Sequence, residues 1–434
     1  ISHNPKFLTL SPAKTGSGYR EFIFNDAGYM DKSDGNKIET KLFRQHKHAT
    51  LEEIKIEFEK YGWNINDYYK FTFVRNPWVR IISWFDMRMK EFKIYNFEHW
   101  RFSQFVEQLC EDCSTYGDQS NYYDETFKVF CLENFDTDIA CVCQDLNINL
   151  SKQLDPEYKM SIDNYLYNPN PCDYSKYEGV YTEKLLNMVA EKEKNVITLM
   201  GYECPEEFKP IKITKENFAV IRRDTHMGKW VTEHKRLDFD QNQLPRYTKY
   251  FKEGDVLVNV GANIGCYAKA FVDKASKIIC FEPHEEAFTC LKYNLEKYSN
   301  VELYNVALSH DSHMYHVLDG HANNIGASVI ESSVDSQKYT MTLDELDFDK
   351  LNFILMDCEG SEYNVLLGAR NTIDKFKPII VTEVNDHHLQ RFGSSRDHLF
   401  LLLDEMGYTY RNIFKGQSLD GVQFDMVCFP KEIL

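Results

Sequence analysis

From residue 255 onward the chain falls into short β-rich runs, "DVLVNVG", "KIICFEP", "VELYNVALS", "LNFILMD" and "PIIVTEV", with helix-like segments after the first two and the fourth. That rhythm predicts a doubly wound α/β domain built on a largely parallel sheet. The first run passes straight into "GANIGCYAKAF", a strand entering G-x-N-x-G and then a helix. Such a turn lets a ligand approach the backbone closely, so Gly261, Asn263 and Gly265 become candidate binding residues. The next run ends in "CFEP", which puts Glu282 at a strand tip, where a carboxylate can accept hydrogen bonds from both hydroxyls of a ribose.

The earlier half has a different texture. Up to about residue 205 it is rich in Tyr, Asn and Lys, with helical stretches such as "TLEEIKIEFEKYG" and "SQFVEQLCEDC". Because 434 residues exceed what one core usually organises, two domains are expected, 1–205 and 236–434. The Pro- and charge-rich "CPEEFKPIKITKENF" places a linker and lead-in at 206–235. Hydrophobic content of 43% can fill two cores, so disorder does not dominate. The net charge of −17 argues against a broad nucleic-acid or anionic-membrane surface, which needs clustered positive charge. No apolar run is long enough to span a bilayer and no signal-peptide pattern opens the chain, so a cytoplasmic protein is expected. The 12 cysteines are scattered through mostly apolar surroundings and read as reduced core thiols. Cys110 with Cys113, and Cys141 with Cys143, have poor zinc-knuckle spacing.

Two stretches of the first half point to an anion. "SPAKTGSGY" at 11–19 lies between the apolar "FLTL" and the amphipathic "YREFIF", so Gly16 and Gly18 fall where a strand turns into a helix. Inward-turned N–H groups, with Lys14, Thr15 and Ser17 as side-chain donors, suit a phosphate. The spacing is P-loop-like without matching G-x-x-x-x-G-K-[ST]. In "YYKFTFVRNPWVRIISWF", "KFTFV" alternates as a strand does and a helical pattern resumes after "NPW". Arg75 then sits at the strand's end and Ser83 on the first turns of the helix, a guanidinium and a hydroxyl able to converge on one terminal phosphate.

These loops resemble those of carbohydrate sulfotransferases: "SPAKTGSGY" their 5′-phosphosulfate loop and "FVRNPWVRIISWF" their 3′-phosphate loop. "DQSNYYDETFKVFCLENFDTDIACVCQDLNI" and "DYSKYEGVYTEKLLNMVAEKEKNVITLMGY" resemble the later parts of the same family. The resemblance implies a P-loop-like α/β domain using 3′-phosphoadenosine-5′-phosphosulfate (PAPS). Lys14 suits the charge on the leaving phosphate, and a base must take the acceptor's proton. In "RQHKHATLEEI", His48 resembles the histidine of uronyl-type and related bacterial sulfotransferases, with Glu52 or Glu53 as the fallback.

In the second half, "VNVGANIG", "CFEP", "NNIGASVI", "TLDEL", "LNFILMDCEGSEYNVLLGA" and "PIIVTEVN" together resemble the FkbM-type methyltransferases, which O-methylate hydroxyls of sugars and other natural products. The resemblance implies a Rossmann-like class I fold binding S-adenosyl-L-methionine. Gly261, Asn263 and Gly265 would line its methionyl end, Glu282 the ribose, and Asn305 to Ala307 the adenine side. Asn259 stands where the family has an acid, and Met356 where a basic residue is common. Asp357, Glu359 and Glu362 fall at the sheet's C-terminal edge. Base candidates are Asp357, Glu383, His387 and His388; Asp357 and Glu383 could also assist through a metal, but lack a clear third ligand. The chain thus reads as a fused sulfotransferase and O-methyltransferase acting on a glycan or polyhydroxylated small molecule. Alternatives are a sulfotransferase with an inactive acceptor-binding second domain, a non-enzymatic glycan-binding scaffold, or a nicotinamide-dependent second domain.

Overall fold

The computed structural model describes residues 1–15, 23–24, 26–27, 48–94, 99–111, 118–155, 172–237, 244–320 and 324–433. Gly16, Ser17, Gly18 and Cys113 lie outside the described residues. The chain divides into two compact units, Ile1–Lys209 and Pro210–Leu434.

In the first unit, β1 (Ser2–His3), β2 (Lys6–Leu10), β3 (Tyr69–Val74) and β4 (Lys128–Cys131) form a sheet in that order. β1 runs antiparallel to β2, while β2, β3 and β4 are parallel. Alternation sends neighbouring side chains to opposite faces. Phe7, Phe71 and Phe73 meet Ile139 and Val142 on one side, while Leu8 and Leu10 meet Ile54 and Phe58 on the other. Each such side chain contributes roughly 1.5–3 kcal/mol when fully buried. Flanking helices are α1 (Leu51–Lys60), α2 (Pro77–Glu91), α3 (His99–Glu111), α4 (Phe135–Leu146) and α5 (Glu183–Lys192). β3 gives way to α2 because Pro77 occupies the first helical turn, where no N–H is needed, and the Asn76 side chain accepts from Val79 N at 3.4 Å. Arg75 is thereby fixed at the strand's end.

The second unit carries two small hairpins, β5 (Ile211–Ile213) with β6 (Ala219–Ile221) and β10 (Tyr315–Leu318) with β11 (Val329–Ser332). Its main sheet comprises β7 (Val256–Val260), β8 (Lys277–Phe281), β9 (Val301–Tyr304), β12 (Phe353–Met356), β13 (Ile379–Asn385), β14 (Tyr408–Asn412) and β15 (Gln423–Pro430). The order is β14-β15-β13-β12-β7-β8-β9. The five runs read from sequence are its parallel members, and β15 pairs antiparallel with both β13 and β14. That final pair was not anticipated, since no helix separates its strands to continue the rhythm. Apolar clusters fill both faces, and the order reverses between β12 and β7, where open α/β sheets bind ligands.

Residues 206–235, expected as linker and lead-in, are folded. After a single turn at Glu206–Phe208 the seam falls at Lys209, and the rest supplies the β5–β6 hairpin and α6 (Met227–His234) to the second unit. The prolines and charges flank an apolar "AVI" that is at most 1% exposed. Asn294, on α8 (Glu285–Leu295), anchors it: its side chain accepts from Ala219 N at 2.8 Å and donates to Ala219 O at 3.0 Å and Ile264 O at 2.9 Å. The helix after β7, Cys266–Phe271, is α7.

Candidate active sites

In the first unit, parallel pairing of β2 with β3 delivers the Ser11–Thr15 loop and Arg75 to one sheet edge. Lys14 has a left-handed backbone, with φ 64°. Arg75 donates to Lys14 O at 3.5 Å and to the Tyr174 hydroxyl at 2.6 Å. The Tyr174 hydroxyl also lies beside Ser83, so it neighbours both the arginine and the serine expected to share a phosphate. Burial, then the neighbouring Arg75 charge, holds the Lys14 ammonium below the usual lysine range. Cations crowded in this way suit an anion between them.

Beneath this edge lies a frame that sequence reading missed. Arg80, the second arginine of "RNPWVR", is 0% exposed and pairs with the equally buried Glu193. It also donates to Ala13 O at 3.4 Å, bracing the Lys14 loop. Gln119 accepts from Arg75 N at 2.8 Å and donates to Arg75 O at 2.9 Å and Glu193 at 3.4 Å. Gln119, Tyr174 and Glu193 all sit inside the later segments quoted for the sulfotransferase resemblance, the one signal that could have flagged them.

Other expected donors and bases fare differently. Thr15 is fully buried and gives its hydroxyl proton to Pro12 O at 2.7 Å, so it holds its own turn. His48 Nδ1 stands 2.8 Å from Ser11 O, and a proton donated there leaves the lone pair on Nε2. Glu53 is occupied in a capping box, accepting from Thr50 N at 2.7 Å. Glu52 is exposed and pairs with Lys55 at 3.2 Å.

In the second unit a cavity of about 260 Å³ opens at the C-terminal ends of β7, β8 and β12. Gly261 has φ 75°, and a Cβ there would overlap the Asp357 carbonyl oxygen, so glycine permits the close approach of β7 and β12. Both Glu282 oxygens accept backbone N–H groups, from Asn263 at 2.7 Å and His284 at 2.8 Å. Burial raises its carboxyl against the pull of those bonds. Each oxygen can accept a further hydrogen bond, and Glu282 lines the cavity. Asn263 Oδ1 is buried without a hydrogen-bond partner at the cavity wall, an orphan acceptor suited to a ligand's ammonium.

The cavity also draws on residues not expected to line it. His226 and Met227 come from the supposed lead-in, held by Asp224, which accepts from Gly228 N at 2.8 Å and His226 N at 3.1 Å. Next to it, buried Arg223 pairs with Glu286 and reaches Asp319 at 3.1 Å, and Asp319 stands 2.9 Å from His284. Conversely, Asn259 is 0% exposed, lies off the cavity and donates to Leu355 O at 3.4 Å. Gly265 packs under Leu291 and Leu295, and Asn305 is exposed, bonding Glu282 O at 2.8 Å; Ala307 is in the wall.

The far rim is acidic. Asp357 and Glu359 line the cavity, Glu383 on β13 lies opposite Asp425 on β15, and Gln423 donates to Glu383 at 2.5 Å. Glu362 caps the "DCEGSE" turn, accepting from Cys358 N at 3.0 Å, and Asp425 accepts from Tyr247 at 2.7 Å. Burial, then the charges of Glu383 and Glu359, pushes the Asp357 carboxyl far above its ordinary value. Glu359 is pushed up to about 8 by burial and its acidic neighbours, chiefly Glu383. His387 is exposed.

Comparison with known proteins matches both halves. Residues 13–149 match the sulfotransferase family, and residues 259–410 match the methyltransferase FkbM domain. A curated relative, the 2-O-methyltransferase NoeI of Sinorhizobium fredii, is 24% identical over 162 residues, covering 32% of this chain and 66% of the relative, just under two thirds. Among solved structures, the methyltransferase FkbM from Methylobacillus flagellatus is 13% identical, with TM-score 0.29, covering 72% of this chain and 80% of that one. An rRNA methylase from Streptococcus thermophilus is 11% identical, with TM-score 0.30, covering 43% and 93%. Among the described residues, no helix is long and apolar enough to cross a membrane. The chain thus carries two domains in series, one matching the sulfotransferase family and one matching the methyltransferase FkbM domain.

Proposed function

We propose that this chain sulfates hydroxyl groups from PAPS with its first unit and methylates hydroxyl groups from S-adenosylmethionine with its second, on a glycan or polyhydroxylated small molecule. The observation that carries the first half is the hydrogen bonding of Arg75 to Lys14 O and to the Tyr174 hydroxyl, with Ser83 beside that hydroxyl. PAPS supplies a sulfuryl group whose departure leaves negative charge on a phosphate. Lys14 would neutralise that charge, Arg75 and Ser83 would hold the other phosphate, and Tyr174 would hand its place to it. His48 would accept the acceptor's proton at Nε2.

For the second half, the support is the pairing of Glu282 with the orphan acceptor Asn263 Oδ1 around the glycine turn. S-adenosylmethionine supplies an electrophilic methyl group. Glu282 would bind the ribose hydroxyls and Asn263 the amino-acid end, with Val306 and Ala307 along the base. Asp357 lines the cavity and carries no hydrogen bond to its carboxylate among the described residues, so it is the base we favour over hydrogen-bonded Glu383. The similarity to NoeI, a 2-O-methyltransferase, supports a hydroxyl oxygen as the methyl acceptor.

The test is calorimetric titration of the full chain with adenosine 3′,5′-bisphosphate and, separately, with S-adenosylhomocysteine. One site per chain for each is expected. Failure of either ligand to bind overturns that half of the reading, and binding of NAD in place of the second would make that unit nicotinamide-dependent.

A further inference from the structure

Three side chains from three separate elements converge at the acidic rim. Glu359 comes from the turn after β12, Glu383 from β13, and His388 from the helix α9 (Asp386–Arg391) that follows it. Their ligand-capable atoms all lie within 4.8 Å of one another. A metal about 2.1 Å from each ligand separates ligand pairs by roughly 3 to 4.4 Å, so a slight side-chain closure would complete the set. Gly360 makes the convergence possible: with φ 110°, it lets the turn press on the His388 backbone, where a Cβ would overlap the carbonyl.

A second observation distinguishes this cluster from an exposed acidic patch. His388 Nδ1 is closed off from solvent and makes no hydrogen bond, although it stands 3.0 Å from Glu359 Oε2. With the nearest carboxylate oxygen outside hydrogen-bond geometry, that nitrogen is placed to share a cation with Glu359.

We propose that Glu359, Glu383 and His388 bind one divalent transition-metal cation, of the kind that accepts both imidazole and carboxylate ligands, at the acceptor end of the methyl-donor cavity. Mixed nitrogen and oxygen ligation favours Mn²⁺, Fe²⁺ or Zn²⁺ over Ca²⁺. Three protein ligands leave positions for hydroxyl oxygens of a polyol. A hydroxyl bound there ionises more readily and passes its proton to Asp357. The oxygen then takes the methyl group as the carbon–sulfur bond breaks, its electron pair staying on sulfur. The cation site itself is independent of the methyl-transfer reading; its role toward an acceptor rests on that reading.

The experiment is Mn²⁺ titration of the chelator-stripped full chain, followed by electron paramagnetic resonance, with S-adenosylhomocysteine binding measured on the same samples. We expect one Mn²⁺ per chain, spin-echo modulation from one coordinated imidazole nitrogen, and binding at least tenfold weaker in His388→Gln and Glu383→Gln. Absence of both Mn²⁺ and Zn²⁺ binding at millimolar metal overturns the site, as does stoichiometric Mn²⁺ without the nitrogen signal or unweakened by the substitutions. The nitrogen signal is read on the unaltered protein, so it decides even where a variant misfolds. Metal bound without S-adenosylhomocysteine would sink the methyl-transfer reading alone; the converse would sink the cation site alone.

Discussion

The two candidate sites are built from opposite charge. In the first unit, Lys14 and Arg75 crowd together, depressing the lysine, above the buried Arg80. In the second, burial first and then acidic neighbours push Asp357, Glu359 and Glu383 upward. Like charges gathered in a folded chain cost stability unless a ligand of opposite sign completes them. The contrast matches the proposed donors, an anionic phosphosulfate in one unit and a cationic sulfonium, with a metal ion, in the other. Both sites also rest on a buried ion pair, Arg80 with Glu193 in one and Arg223 with Glu286 in the other. Sequence motifs announced the charged rims and not these supports.

The sharpest break between the units is expected from Gly261→Trp. Forcing a side chain between β7 and β12 should abolish S-adenosylhomocysteine binding in calorimetry, while sulfuryl transfer persists. Next, Lys14→Ala should lower sulfuryl-transfer kcat/KM by about 10²–10³-fold, since charge on the leaving phosphate goes unmatched, and should leave methyl transfer intact. Equal loss of both activities from either variant would contradict independent sites.

A smaller effect is expected beneath the second cavity. Arg223→Met leaves Glu286 buried and unpaired, which costs roughly 3–5 kcal/mol and should lower the melting temperature of the second unit alone. The same change has a pH signature. Burial raises the Asp319 carboxyl, but His284 and Arg223 outweigh it and hold it well below its ordinary 3.8. Its contribution is therefore complete above that value and lost as pH falls toward the depressed one. Removing Arg223 should move this acid limb of the stability curve upward, and an unchanged limb would show that the pairing does not matter. The smallest effect belongs to Tyr174→Phe, which removes the hydroxyl that accepts from Arg75 and neighbours Ser83. A roughly 2- to 10-fold change in adenosine 3′,5′-bisphosphate affinity is expected, the size of one hydrogen bond. Loss of affinity would make Tyr174 a phosphate ligand; a gain would make it an occupant that the phosphate displaces.

Much of this was legible in the chain because each motif is local. The run from strand through "GANIG" to helix, Glu282 at its strand tip, and Arg75 before Asn76-Pro77 are all set by a few consecutive residues and their backbone preferences. The parallel strands of the second unit were readable for the same reason, since each apolar run marks its own strand. Three expectations needed revision where the decisive partner is far away. Thr15 looked like a phosphate donor until Pro12 O was seen to take its hydroxyl proton, and Asn259, standing where the family has an acid, is buried off the cavity. The supposed lead-in belongs to the second unit because Asn294, some 75 positions away, holds Ala219.

The sequence by itself determined the two transferase families, their order and the glycine turns, because these depend on short stretches whose geometry neighbouring residues dictate. Only the tertiary structure decided which polar side chains face a cavity, which are spent on the backbone, and that Glu359, Glu383 and His388 share one corner. Those outcomes depend on strand register and on hydrogen bonds between residues far apart in the chain, and burial then fixes the charge each group can carry.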